Sequence, residues 1–281
     1  MSLQFGNLQV RDLQVRDLQV RDLKVERNGR PVLHDISFAA VSGRVLIVMG
    51  PNGAGKTTLL AAIGGAIKPA GGGVDFGGVP LTGLRPQALA AQRAYMAQHF
   101  DCPFAYSVED IVALGRLCHA GTPRAARDKA AIAAALASAD LAPLARRAVT
   151  TLSGGERQRV AFAKAAAQIF DRSTAGEPHL VILDEPVSSL DPEHQHRLLG
   201  QARQLAKQGA TVVVTLHDLT LASIYGDDAL VLDRGRIAAQ GAMAETLTPS
   251  LIERVFKVRV GAAIQDGGPS IMHAVPQDQA A

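Results

Sequence analysis

Continuous apolar runs stand out along this chain. Val45-Leu46-Ile47-Val48-Met49, Leu180-Val181-Ile182-Leu183 and Thr211-Val212-Val213-Val214-Thr215-Leu216 do not alternate with polar positions. Extended segments of that kind are buried on both faces, as in parallel sheets covered by helices. Helical spacing follows two of them. Leu59, Leu60, Ile63 and Ile67 predict a helix from Thr57 to Ile67, and Leu198, Ala202 and Leu205 predict another that Gly209 ends. A fold of the α/β class follows.

Outside this centre the pattern changes. Leu8-Gln9-Val10-Arg11-Asp12 recurs at 13–17 and 18–22 and fades into Leu23-Lys24-Val25-Glu26. Strand side chains alternate with period two, so a repeat of odd length puts successive Leu/Val pairs of a straight strand on opposite faces. The last copy is therefore expected to form the first core strand, with residues 1–17 as an appendage. A turn at Asn28-Gly29 predicts a hairpin into Pro31-Val32-Leu33 and Ile36-Ser37-Phe38. Gly71-Gly72-Gly73 is read as a break before short strands at Val74-Asp75-Phe76 and Val79-Pro80-Leu81, and Ala94-Tyr95-Met96-Ala97 as a strand running into Gln98. Ser107-Val108-Glu109-Asp110 has capping-box form and opens a helix through Ile111, Leu114 and Leu117. Alanine-rich helical stretches are expected at 125–139 and 141–148, a loop at 170–179, a closing hairpin at 231–237, and a short helix after Thr248-Pro249. The tail from Gly261 is weakly patterned.

Composition narrows the class. Hydrophobic residues make up 47% of 281, which is globular and leaves ample core. No apolar run approaches the ~18–20 residues needed to span a bilayer. The polar, charged N-terminus does not read as a signal peptide. A net charge of +3 is too small to argue for nucleic acid. Cys102 and Cys118 lack metal-type spacing, so reduced thiols are expected.

The chemistry sits where the apolar runs end. Gly50, Pro51, Asn52, Gly53, Ala54, Gly55, Lys56, Thr57 and Thr58 fit G-x-x-x-x-G-K-[ST] between a strand and a helix, the context of a phosphate-binding loop. Glycines let backbone N–H groups converge on an anion, and the helix N-terminus adds partial positive charge. Lys56 would reach the β- and γ-phosphates, and Thr57 would offer its hydroxyl to Mg²⁺. Leu152, Ser153, Gly154, Gly155 and Glu156 form a second capped helix end: either another anion site or an ordinary cap. Asp184 and Glu185 end a buried strand, where α/β sheets bind ligands. Asp184 can hold Mg²⁺ through water, and Glu185 can act on a water beside the γ-phosphate. His217, at the end of the third run, is within reach of the same phosphate.

In this order, GPNGAGKTT, Gln98, LSGGE, LVILDEP, SSLD and His217 resemble the ATP-binding subunits of ABC transporters over roughly residues 18–260. The resemblance implies a P-loop NTPase: a RecA-like core, an antiparallel β subdomain and an inserted α-helical subdomain. It places the ATP-binding domain at 18–245, its helical subdomain at about 102–158, and a helix and tail at 246–281. It implies ATP and Mg²⁺, the latter held by Thr57, Gln98 and Asp184. Glu185, His217 and Gln98 take the catalytic positions. Two chains would pair head to tail, with LSGGE facing the ATP of the opposite subunit and Ser189, Leu190 and Asp191 at the contact. Two permease subunits would receive the pair at the loop from Phe100 to Tyr106, on the cytoplasmic face of the inner membrane, with an extracytoplasmic substrate-binding protein engaged indirectly. Two departures stand out. Arg27 occupies the first-hairpin position where an aromatic often stacks on adenine, and a guanidinium can stack there too. Glu156 replaces a common glutamine and keeps the cap. The segment from His217 to Gly241, with TPSLIERVF beyond it, is similar to importers of iron–siderophores, cobalamin and haemin, and the lengthened 170–179 loop and the non-aromatic Arg27 look most like haemin importer ATPases. His99, Asp101, Cys102, Cys118 and His119 suggest a haem or metal site, but belong to a loop and helix expected to face the permease or solvent. A soluble ABC-type ATPase is the alternative of another class, although neither a second cassette nor a basic arm is present.

Overall fold

The computed structural model describes residues 17–98, 100–175, 177, 179–263 and 271–275. β1 (Leu18–Arg27) and β2 (Arg30–Ala40) form an antiparallel hairpin whose turn residues, Asn28 and Gly29, both have positive φ. β3 (Val45–Met49) leads through the glycine-rich loop into α1 (Lys56–Ile63). β4 (Gly71–Phe76), β5 (Val79–Pro80), α2 (Pro86–Ala90) and β6 (Arg93–Met96) follow. Then come α3 (Val108–Leu114), α4 (Asp128–Ser138) and α5 (Gly154–Ala175). β7 (Leu180–Leu183), α6 (Pro192–Lys207), β8 (Thr211–Thr215) and α7 (Leu219–Tyr225) alternate before β9 (Asp228–Asp233) and β10 (Arg236–Ala242). The described chain closes with α8 (Met243–Thr246), α9 (Pro249–Phe256), β11 (Arg259–Ala263) and β12 (Ile271–Val275).

One sheet has the order β10-β9-β3-β8-β7-β6, parallel except for β10. Its strands are buried on both faces, as the unbroken apolar runs require. Val45, Ile47 and Met49 enter a core with Phe162 of α5 and Leu199 of α6, while Leu46 and Val48 join α1 and the hairpin. The second sheet, β2-β1-β4-β5, lies over that other face. A third core joins Ile111 of α3, Leu136 of α4 and Val160 of α5. α5 thus contributes to both the core of the parallel sheet and that of the helical part.

The pentapeptide behaves differently from a straight strand. Leu18, Val20, Leu23 and Val25 are all fully buried. Val20 pairs with Phe38 and Leu23 with Ile36, so β1 carries one extra residue between them. This bulge restores the face that an odd repeat would invert. Asp22 takes a φ of 47°, its N–H donates to Ser37 Oγ at 2.8 Å, and that hydroxyl donates to Asp22 Oδ1. β4 approaches the bulge so closely that a Cβ on Gly72 would lie 2.3 Å from the Arg21 and Asp22 carbonyl oxygens. Gly71, Gly72 and Gly73 are therefore the start of a strand and not a break.

Other expectations need correction. α1 stops at Ile63, leaving Ile67 outside it, because Gly64 and Gly65 turn the chain back. α3 ends at Leu114, and Leu117, itself exposed, starts a separate 3₁₀ turn. Within 141–148 only Ala142–Leu144 is helical, a single 3₁₀ turn. Helix α5 continues through Phe170 to Ala175, so most of the expected 170–179 loop is its last turns; Gly176 and Pro178 lie outside the described residues. The tail contributes the antiparallel β11–β12 pair. Asp17, assigned to the appendage, is buried, and its Oδ1 accepts the Ser42 N–H at 2.8 Å. The first two copies otherwise lie outside the described residues.

Candidate nucleotide site

The loop after β3 is shaped by glycine at two close approaches. Gly50 has φ 150°, and a Cβ there would sit 2.3 Å from the Leu232 carbonyl oxygen. At Gly55, φ is 102° and a Cβ would lie 2.7 Å from Leu33 Cδ2 of the hairpin. Gly55 is also the N-cap of α1 and supplies no side chain, so the first-turn N–H groups are left for an anion. Lys56 is buried and donates to the carbonyls of Gly50 at 2.8 Å and Pro51 at 3.2 Å. Burial lowers its pKa, and Glu185 and Asp184 act to raise it.

Two strands from β3, β7 ends in the acidic pair. Asp184 is fully buried; burial raises its pKa, with the Thr215 and Thr57 hydroxyls pulling it back. Its Oδ1 accepts from Thr215 Oγ1 at 2.7 Å, while its Oδ2 accepts no well-formed hydrogen bond among the described residues. Thr215, at the end of β8, also accepts the Glu185 N–H at 2.7 Å. That bond holds Glu185 at φ 48°, an uncommon conformation for a residue with a Cβ. The turn aims its carboxylate between two side chains: Gln98 Nε2 donates to Oε2 at 2.9 Å, and His217 Nε2 lies 2.6 Å from Oε1. Residues 98, 185 and 217, which are far apart in sequence, thus meet at the carboxyl ends of β6, β7 and β8.

The LSGGE segment forms a separate end. Ser153 Oγ accepts the Glu156 N–H and Glu156 Oε2 accepts the Ser153 N–H at 2.7 Å, a complete capping box. The Ser153 N–H bond is also the main cause that holds the Glu156 pKa below its ordinary value. Among the described residues, no hydrogen bond or ion pair joins 152–156 to the phosphate loop. This end instead packs on Ser189 and Leu190: a Cβ on Gly155 would lie 2.9 Å from the Ser189 carbonyl oxygen. Asp191 caps α6 through the His194 N–H. Arg27 is exposed at the end of the hairpin, opposite Arg30.

Sequence reasoning missed Gln158. It is buried on α5, donates to the Glu185 carbonyl at 2.6 Å and accepts the Ser189 N–H at 3.2 Å. One amide therefore ties the LSGGE helix to both the acidic pair and the following loop. Its position one turn beyond Gly154, on the face that carries Ala161 and Ala165 into the core, was the available signal.

A groove of about 480 Å³ separates the core from the helical part, lined by Gln87, Arg93, Tyr95, Leu114, Leu117 and Lys164. Lys164 Nζ lies 5.5 Å from the Phe100 ring, and burial lowers the pKa of both Lys164 and Arg93. Arg93 Nε has no hydrogen-bond partner among the described residues. Leu114 and Leu117 of this lining are exposed, as are Phe104 and Tyr106 of the loop before α3. His119 is buried with Nε2 2.8 Å from the Gln168 carbonyl oxygen, and His99 lies outside the described residues. Among the described residues no group of three or more His, Cys, Asp or Glu side chains could hold a metal ion.

Comparison with known proteins decides the family. Residues 33–188 match the model described as ABC transporter, more than half of the chain. The chain belongs to the ABC transporter family. It is 45% identical to the hemin import ATP-binding protein HmuV of Nocardia farcinica over 238 residues, covering 83% of this chain and 80% of that protein. The same-named protein of Pseudomonas entomophila is 43% identical, covering 84% and 91%. Among solved structures, an inward-facing metal-chelate type ABC transporter superposes with a TM-score of 0.75 at 27% identity, covering 93% of this chain and 98% of that one. An ATP-binding subunit of an ABC transporter superposes with a TM-score of 0.71 at 26% identity, covering 86% and 94%. The P-loop NTPase fold of ABC ATPases expected from the motifs is the one observed.

Proposed function

We propose that this chain is the ATP-hydrolysing subunit that energises an ABC importer of haemin. The observation that carries the chemistry is the Glu185 carboxylate, held between Gln98 and His217 beside the phosphate loop. In this reading the loop N–H groups and Lys56 hold the ATP phosphates, and the Arg27 guanidinium stacks on the adenine. Glu185 orients the attacking water and accepts its proton, while His217 holds the γ-phosphate. Gln98, bonded to Glu185, links that carboxylate to the loop that meets the permease. The buried, unshared Oδ2 of Asp184, the Thr57 hydroxyl and the Gln98 carbonyl are hard oxygen donors that fit Mg²⁺. Bound there, Mg²⁺ neutralises phosphate charge.

The separate LSGGE end gives the assembly its logic. Among the described residues it makes no bond to its own phosphate loop, and in this reading it serves the ATP of a second copy in a head-to-tail homodimer. Ser189, Leu190 and Asp191 lie at that contact. Among the described residues no helix is long and apolar enough to cross a membrane. Attachment to the cytoplasmic face of the inner membrane then comes from two permease subunits, seated over the Phe100–Tyr106 loop and the groove with Lys164 on its wall. An extracytoplasmic substrate-binding protein is engaged only through them. The cargo assignment rests on relatives named for hemin import at 38–45% identity. The structure described as a metal-chelate type ABC transporter supports that wider class, and an importer of an iron–siderophore or cobalamin is the second reading.

Hydrolysis by the purified chain tests this reading. Two chains complete each site, so phosphate release at low protein concentration should rise with the square of concentration, and Glu185→Gln with ATP should elute as a dimer. A rate strictly proportional to concentration, with a monomeric Glu185→Gln in ATP, refutes the shared site.

A further inference from the structure

The tandem pentapeptide is the strongest pattern that nucleotide chemistry leaves unused, and β1 gives it a physical meaning. The β1 slot asks for four apolar residues, at Leu18, Val20, Leu23 and Val25. It also asks for a cation at Arg21, which pairs with Asp75 at 3.0 Å, and for an aspartate at Asp22, which closes the bulge on Ser37. Just before the strand it asks for another aspartate, Asp17, bonded to the Ser42 N–H. Moved along by five residues, the chain meets every one of these demands. Leu13, Val15, Leu18 and Val20 fill the apolar positions, Arg16 replaces Arg21, Asp17 replaces Asp22, and Asp12 replaces Asp17. An odd shift normally turns a strand inside out. Here the bulge moves with the repeat, and the buried face is kept.

The exchanges forced by the shift fall on exposed positions. Gln19 replaces Lys24, which removes an ion pair to Asp35 exposed at both ends, a contact that contributes little. Arg21 replaces Glu26, and Asp22 replaces Arg27. Residues 23–29 become the connection to β2, and the cost of closing a longer loop grows only logarithmically.

We propose that β1 is register-degenerate: a second register, shifted by five residues, places Asp22 where Arg27 stands and so switches the cassette to weaker nucleotide binding. The register itself follows from β1 and the repeat; only its effect on nucleotide rests on the adenine-stacking reading of Arg27.

Cysteine pairs in the full chain report the register, with Cys102 and Cys118 replaced by serine. Gln19 faces Ala39 in the register described, and Gln14 would face it in the shifted one. Paired Cα atoms on antiparallel neighbours are roughly 4.5–5.5 Å apart, within disulfide reach. Under mild oxidation both Gln19→Cys/Ala39→Cys and Gln14→Cys/Ala39→Cys should crosslink. Adding Leu13→Asp and Val15→Asp, which the shifted register would have to bury, should slow only the second, by roughly tenfold or more. No 14–39 crosslink beside a good 19–39 crosslink overturns the second register, as does a 14–39 rate that ignores the two aspartates. Purified 14–39 crosslinked protein should bind a fluorescent ATP analogue about tenfold more weakly than the 19–39 form. Equal affinities overturn the switch.

Discussion

Thr215 is the hinge pin of the acidic pair, and Thr215→Val removes one hydroxyl from two bonds at nearly constant volume. Thr215 Oγ1 accepts the Glu185 N–H and donates to Asp184 Oδ1, each at 2.7 Å, in a fully buried setting. Leaving a buried donor or acceptor unpaired costs about 1–3 kcal/mol, more for a charged group. The two losses together should destabilise the fold by roughly 2–4 kcal/mol. In a domain of this size each kcal/mol lowers Tm by about 2–4 °C, so a fall of roughly 4–16 °C is expected by circular dichroism. Thr215→Ser is the control: it keeps the hydroxyl and loses one methyl group, costing about 1 kcal/mol. Turnover should separate the variants further. Without Thr215 the Glu185 backbone is no longer pinned at positive φ, and Asp184 loses a bond that favours its ionised form. Phosphate release should therefore fall at least tenfold in Thr215→Val and less than threefold in Thr215→Ser, differences of about 1.4 and 0.6 kcal/mol. Melting temperatures within 2 °C of each other, roughly 1 kcal/mol, with equal turnover would refute the bridging role.

Three further outcomes follow from the same geometry. Glu185→Gln keeps the contacts to Gln98 and His217 in reach but cannot accept a proton; ATP binding should survive while turnover drops roughly 10²–10⁴-fold, and unchanged turnover removes Glu185 from its role. Asp184 has a raised pKa, so the stability it gives is fully present below the unfolded carboxylate value and is lost as pH rises through the folded value. Mg²⁺–nucleotide should accordingly raise Tm more at pH 8 than at pH 5.5, and Asp184→Asn should flatten that difference; a pH-independent increment in wild type contradicts the assignment. Gly155→Ala would press a Cβ to 2.9 Å from the Ser189 carbonyl oxygen, shifting the LSGGE end against the following loop. Turnover should fall while affinity for ATP by the isolated subunit stays within twofold, about 0.4 kcal/mol; a loss of binding in the monomer would mean that this end serves its own nucleotide.

The parallel sheet was legible because its strands are apolar on both faces, and the phosphate loop because it needs both glycines and a strand–helix context. The acidic pair and His217 were legible from their place at strand ends. The meeting of Gln98, Glu185 and His217 at hydrogen-bond distance is a product of strand order, which no local pattern carries. Gln158 escaped because a buried amide in an amphipathic helix looks like any polar position until its two backbone partners are known. The β1 repeat misled in the opposite direction. Period-two logic is sound for a straight strand, but Asp22 at positive φ and Gly72 against it make a bulge. The 170–179 stretch read as a loop because Gly176 and Pro178 break helices, although the six residues before Gly176 continue α5.

In the proposed function, Glu185-dependent hydrolysis drives haemin import. Deleting the gene in its native host and measuring growth on haemin as sole iron source, beside ferric siderophore and cobalamin controls, tests it most directly. Growth should be lost on haemin alone and restored by the wild-type chain but not by Glu185→Gln. Full restoration by Glu185→Gln, or normal growth on haemin with a defect on another chelate, would contradict it.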